Sequence, residues 1–153
     1  MGEETGAPEV ILVDANVLIY AIDQDSPQHV SAREWLEQAF AGVEPIGLPW
    51  IVLLAFVRLV TRPAIVRHPL SAEAALAYVD EWLSLPAVQP VSPGSGHWAV
   101  LRTLLASTGT AGNLTTDAHI AALALELAAP ICTADRDFLR FPGVKVVGPF
   151  VGS

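Results

Sequence analysis

Short, largely apolar strand-length runs, separated by helix-length amphipathic stretches, recur along this chain. Val10-Ile11-Leu12-Val13 is continuous and stops at Asp14, and Pro45 to Leu48 stops at Pro49; a brief strand over Val88 to Val91, with Gln89 inside it, and Pro130 to Thr133 and Val144 to Val147, with Lys145 inside the latter, complete the set. A strand with one wet face alternates apolar and polar residues, so an unbroken run implies burial on both faces. The intervening segments carry helix signals. Asp14-Ala15-Asn16 introduces a helix over Val17 to Ile22, and after Asp25-Ser26-Pro27 a second pattern gathers Val30, Ala32, Trp35, Leu36 and Phe40 near one face until Gly42. Pro49 opens a helix through Val60 that Pro63 closes, and Ser71 starts another through Leu83. Two more run from about His97 to Ala106 and onward from Thr115-Thr116-Asp117. Strands alternating with helices are βα units, so the expected fold class is α/β, with a mostly parallel sheet covered on both faces.

With 153 residues, 52% of them apolar, the chain closes one core and has no room for a second ordinary domain. The expectation is a single domain over 10–150 behind a flexible arm at 1–9. The mean hydropathy of +0.47 raises the question of a membrane span. Its richest stretch, Ile46 to Val57, contains Gly47 and Pro49 and falls short of the roughly 20 apolar residues a bilayer requires. The acidic start, Gly2-Glu3-Glu4, lacks the positive region of an export signal, and the single cysteine, Cys132, builds no disulfide framework. A cytoplasmic protein with a buried, inert thiol is expected. Net charge of −8 argues against broad electrostatic affinity for nucleic acid. A carboxylate site that takes a divalent cation has the opposite requirement, which makes the placement of the acids decisive.

Asp14 follows the first strand, and Asp135 and Asp137 follow the strand ending at Thr133. In an open parallel sheet, ligand sites form at this carboxyl edge. Asp117 sits in the first turn of a helix, beside the positive end of its dipole. Taken singly, Asp14 and Asp117 also read as helix caps and Asp135-Arg136-Asp137 as a solvated turn. Three distant segments that each deliver an acid to a strand end or helix start nevertheless suit a magnesium site, because that ion takes a few hard oxygen ligands and keeps several waters.

Val13-Asp14-Ala15-Asn16-Val17-Leu18-Ile19-Tyr20, Asp117-Ala118-His119-Ile120-Ala121-Ala122-Leu123-Ala124 and Thr133-Ala134-Asp135-Arg136-Asp137-Phe138 resemble three motifs of the PIN-domain family, in family order. The match is closest to VapC-like toxins, and Phe56-Val57-Arg58-Leu59-Val60-Thr61 resembles one branch of them. The resemblance implies a three-layer α/β/α sandwich, cleavage of RNA dependent on Mg²⁺ or Mn²⁺, and inhibition by a partner antitoxin, with a second copy of the chain as a further candidate partner. Carried over by residue, Asp14, Asp117 and Asp135 match the metal-site acids, Asp137 a further acid near the site, and Asn16 and Thr133 supporting positions. The pattern departs at Ala55, which stands where the family commonly has a glutamate in the helix after the second strand.

Arg58, Arg62 and Arg67 with His68 form the one local concentration of positive charge. They are candidates for holding RNA phosphates or antitoxin carboxylates, Arg58 and Arg62 foremost for RNA, with a solvated loop as the competing reading for Arg62 and Arg67. His119 reads as a helix-surface or packed histidine ahead of a ligand, and His29 and His97 as structural. The four tryptophans are dispersed and read mostly as core. The Trp35 and Phe40 stripe, where exposed, is expected to form an apolar groove for the antitoxin. Two other classes compete with the enzyme: a binding module whose site has decayed at Ala55, and a phosphoryl-transfer domain. The latter wants a lysine near the aspartate, and the sole lysine, Lys145, lies far from the motifs.

Overall fold

The structure is a computed structural model that describes residues 10–109 and 114–152. The expected arm at 1–9 and most of the Gly109 to Asn113 loop lie outside the described residues. Five parallel strands, β1 (Ile11–Val13), β2 (Ile46–Pro49), β3 (Val88–Val91), β4 (Ile131–Cys132) and β5 (Val146–Val147), form one sheet in the order β3-β2-β1-β4-β5. Among the described residues six α-helices accompany them: α1 (Ala15–Ile22), α2 (His29–Phe40), α3 (Trp50–Val60), α4 (Ala72–Ser84), α5 (His97–Thr108) and α6 (Thr115–Leu127). Helix α1 packs on α2 and α3, α3 on α4, and α5 on α6, which gives the three-layer α/β/α sandwich.

The central strands are as buried as their sequences imply: Leu12, Val13, Leu48, Ile131 and Cys132 are all closed to solvent. Gly47 is required by this packing. A Cβ built there would lie 2.7 Å from both Leu12 Cδ2 and Val91 Cγ2, so the side chains of β1 and β3 fill the space over β2. Strand boundaries differ from expectation by a residue or two. Pro49 is the last residue of β2 and the N-cap of α3 rather than its first helical residue. The last strand is confined to Val146–Val147, the two residues with partners in β4. Just beyond it, Gly148 adopts φ +105°, and a Cβ there would stand 2.6 Å from Cys132 Sγ.

One aromatic cluster ties three helices together. Trp82 of α4 meets Phe56 of α3 at 4.8 Å, Tyr78 at 5.8 Å and Phe40 of α2 at 6.2 Å between ring centroids. Phe40 and Trp82 are therefore core, and with Leu36, Glu37, Glu81 and Leu85 they floor a groove between α2 and α4. Trp50 and Trp98 are corrections to the reading of the tryptophans as mostly core, being 47% and 65% exposed. Trp50 is followed at intervals of four by Leu54 and Arg58 on the outer face of α3, while Val52, Leu53, Phe56 and Val60 face inward.

Candidate metal centre

Asp14 leaves β1 at the carboxyl edge of the sheet and caps α1, its Oδ1 accepting from the Ala15 N–H at 2.8 Å. The capping reading and the site reading of Asp14 are thus both satisfied by one side chain. Its other oxygen, Oδ2, accepts from the Thr133 hydroxyl at 2.7 Å and from the Asn16 amide at 3.3 Å. Asp14 is only 8% exposed, and burial raises its pKa; the Thr133 and Ala15 hydrogen bonds oppose that rise, while the nearby Asp135 charge adds to it.

Thr133 is the joint between the two strand ends. Its Oγ1 donates to Asp14, accepts from the Asn16 amide at 3.3 Å, and accepts from the Asp135 N–H at 2.9 Å. Asn16 Oδ1 in turn accepts from the Ala134 N–H at 3.2 Å. The residues read as supporting positions, Asn16 and Thr133, therefore lock the start of α1 to the turn after β4. That turn is a short 3₁₀ helix, Arg136–Arg140, which Asp135 caps by accepting from the Asp137 N–H at 2.9 Å. Asp137 also faces Arg140, at 3.6 Å, on the solvent side.

Asp117 lies in the first turn of α6 and meets this turn. Asp117, Asp135 and Asp137 each offer a carboxylate oxygen, and the three oxygens lie within 4.8 Å of one another. Asp14 stands outside this tight set but remains within electrostatic reach of Asp117 and Asp135, and its Oδ1, which accepts from the Ala15 N–H, keeps a second lone pair, whereas Oδ2 is taken up by Thr133 and Asn16. Asp117 bears the cost of the crowding. Burial first, then the charges of Asp135, Asp14 and Asp137, push its carboxyl up to about 7, helped by a hydrogen bond to Asp135 that requires a proton. Hard oxygen donors converging from separate segments, at a spacing that like charges oppose, fit a divalent cation.

The remaining expected residues lie on or just beyond α3. Ala55 is half-buried on α3 against the core. Arg58 is exposed eight residues beyond Trp50, roughly 12 Å along the helix axis, and Arg62 is exposed just past the end of α3. His68 pairs with Asp25 at 2.8 Å. Nothing in the residue pattern signals a chain of hydrogen bonds that joins α5 to α6. Glu126 Oε2 meets His97 Nδ1 at 2.5 Å, and His97 Nε2 meets His119 Nδ1 at 3.0 Å. Burial and the His97 charge lower the pKa of His119, against the pull of Glu126. His119 is thus a packed residue between helices, on the side of α6 that meets α5.

Comparison with known proteins places this geometry in a family. The PIN domain model matches residues 11–144. Ribonuclease VapC37 of Mycobacterium tuberculosis is 44% identical over 134 residues, 88% of this chain and 93% of that protein. Among solved structures, VapBC2 from Rickettsia felis, bound to a DNA fragment from its promoter, superposes with a TM-score of 0.65 at 20% identity, covering 90% of this chain and 97% of that one. Mycobacterium tuberculosis VapC20, a toxin that cleaves the sarcin-ricin loop, gives 0.63 at 18% identity, covering 88% and 98%. At those identities the two structures bear on the fold alone, and they agree with the five-stranded parallel sheet. The family model and the sequence relative together show that this chain belongs to the PIN-domain family, among the VapC ribonucleases.

Proposed function

We propose that the chain is a cytoplasmic endoribonuclease toxin that cleaves RNA with Mg²⁺, for which Mn²⁺ substitutes, and that a separately encoded antitoxin holds it in check. The observation that carries this reading is the convergence of Asp117, Asp135 and Asp137 beside the buried Asp14 at the carboxyl edge of the sheet. The first three acids would hold the ion, with Asp14 completing the negative field from the end of β1. When bound, such an ion activates water and offsets phosphate charge. Thr133 and Asn16 keep Asp14 and the Asp135 turn in register, so the carboxylates meet the substrate already oriented. Among the described residues no helix is long and apolar enough to cross a membrane. The groove over Leu36, Phe40 and Trp82 supports an antitoxin contact at the α2 and α4 face; of the two aromatic residues expected there it takes in Phe40, while Trp35 lies by Gly148.

The test uses Asp14→Asn and Asp117→Asn, which remove charge and keep shape. Each is expected to lower Mg²⁺-dependent cleavage of cellular RNA by at least about a hundredfold, a size typical of losing one positioned catalytic group, with circular dichroism unchanged. Wild-type cleavage rates in both folded variants would overturn the site. Co-purification with the product of a neighbouring reading frame tests the antitoxin.

A further inference from the structure

We infer that a small cavity beside Asp135 receives a base of the RNA next to the phosphate being cut. The inference rests on the nuclease reading above and names how that site holds its substrate. The cavity measures about 130 Å³ and is lined by Asp135, Arg136, Leu139, Val146, Phe150 and Val151, with Thr133 at its inner end.

Size limits the occupant first. The space equals that of about four water molecules at roughly 30 Å³ each, well below the several hundred Å³ that encloses a drug-sized ligand. A single planar ring system fits it; a whole nucleotide or a folded peptide segment does not. The chemistry of the walls narrows the choice further. Leu139, Val146, Phe150 and Val151 give apolar and aromatic surface, while Asp135 and Arg136 place an acceptor and a donor at the rim. Bases splayed out of single-stranded RNA are held by this combination of a ring face and a few edge contacts. Phe150 is itself set by Tyr20, whose ring meets it edge-on at 5.9 Å between centroids.

Position supplies the link to the reaction. Asp135 belongs both to the cavity wall and to the carboxylate cluster, and Thr133 both to the cavity and to the Asp14 network. An RNA strand with one phosphate at the cluster therefore has its neighbouring base beside the cavity mouth. Leu139, 63% exposed, stands where a larger side chain fills the space without entering the core.

The experiment first maps the cut site of the wild-type protein in a random-sequence RNA pool with Mg²⁺ or Mn²⁺, then replaces each nucleotide flanking the cut by an abasic ribose. One flanking abasic position is expected to slow the wild type by about tenfold or more, the scale of a missing base stack. Leu139→Trp and Phe150→Ala are expected to cleave the intact RNA about tenfold more slowly and to lose that sensitivity, cutting intact and abasic RNA alike. Mn²⁺ affinity by titration calorimetry, unchanged within about twofold, shows that the metal centre survives in both variants. Unaltered rates and unaltered abasic sensitivity with intact Mn²⁺ binding would overturn the cavity as a base site and leave the nuclease reading standing. Loss of antitoxin binding without any change in RNA cleavage would overturn it too, by making the cavity a protein contact. A wild-type protein that cleaves no RNA with either ion removes the nuclease reading, and this inference with it.

Discussion

With three other carboxylates around it, Asp117 holds a proton up to about pH 7, whereas in an unfolded chain it would lose that proton near 3.9. Between those values the folded state binds the proton and the unfolded state does not. Stability of the metal-free protein should therefore fall as pH rises from about 4 to 7 and level off above, which is the sign for an acid whose folded pKa is raised. Asp14 is shifted in the same direction, chiefly by burial. Thermal unfolding in EDTA between pH 5 and 7.5 is expected to show a falling Tm, flatter in Asp117→Asn. Added Mn²⁺ should restore the wild type most at the upper end, where the ion displaces fewer protons. Parallel pH curves for wild type and Asp117→Asn would show that Asp117 titrates normally.

Helix α3 is where the element scale decides most. It starts one residue past Pro49, whose strand neighbours β1, and carries Ala55, the position that the sequence resemblance matches to a glutamate. Ala55→Glu is expected to tighten Mg²⁺ or Mn²⁺ binding to the RNA-free protein, since magnesium sheds water reluctantly and gains from another anionic ligand. Cleavage need not speed up, because tighter ground-state binding leaves the barrier where it was. Calorimetry on both proteins checks this; equal affinity in a folded variant means that position 55 does not address the centre. The central elements were legible because doubly buried strands such as β1 write continuous apolar runs, and because Asp14, Ser71 and Pro49 mark helix starts by local hydrogen bonding or fixed φ; the outer strands β3 and β5, which are partly open to solvent, carry no such run. Asp14, Asp117 and Asp135 were legible as candidates because each stands at a strand end or a helix start, and the family motifs gave them a role. The facing of α3 was not. Its residues are apolar nearly all round, so nothing in the pattern says that Trp50 and Leu54 turn outward while Phe56 turns in. The Glu126-His97-His119 chain was equally hidden, because it depends on how α5 lies against α6. The cavity at Phe150 depends on the pairing of β4 with β5, which a run of two paired residues does not announce.

At the scale of the whole molecule, a net charge of −8 leaves the few arginines to set how an anionic polymer is held. Arg58 and Arg62 lie exposed along and just beyond α3, where they are open to meet phosphates of the strand. Replacing both by alanine in the non-cleaving Asp117→Asn protein should weaken binding of single-stranded RNA for all sequences alike. It should also reduce the slope of log affinity against log salt by about 0.7 for each phosphate no longer neutralised. An unchanged slope would place both residues off the RNA path. The fold also leaves one thiol, Cys132, closed to solvent between Asp14 and the left-handed Gly148, with burial pushing it up to about 12. A maleimide or iodoacetamide can reach that sulfur only when β4 and β5 part, so its alkylation rate is a clock for the opening of the strand that carries the Asp135 turn. The same label read in the presence of Mn²⁺, RNA or antitoxin would rank how firmly each of them clamps the sheet edge shut.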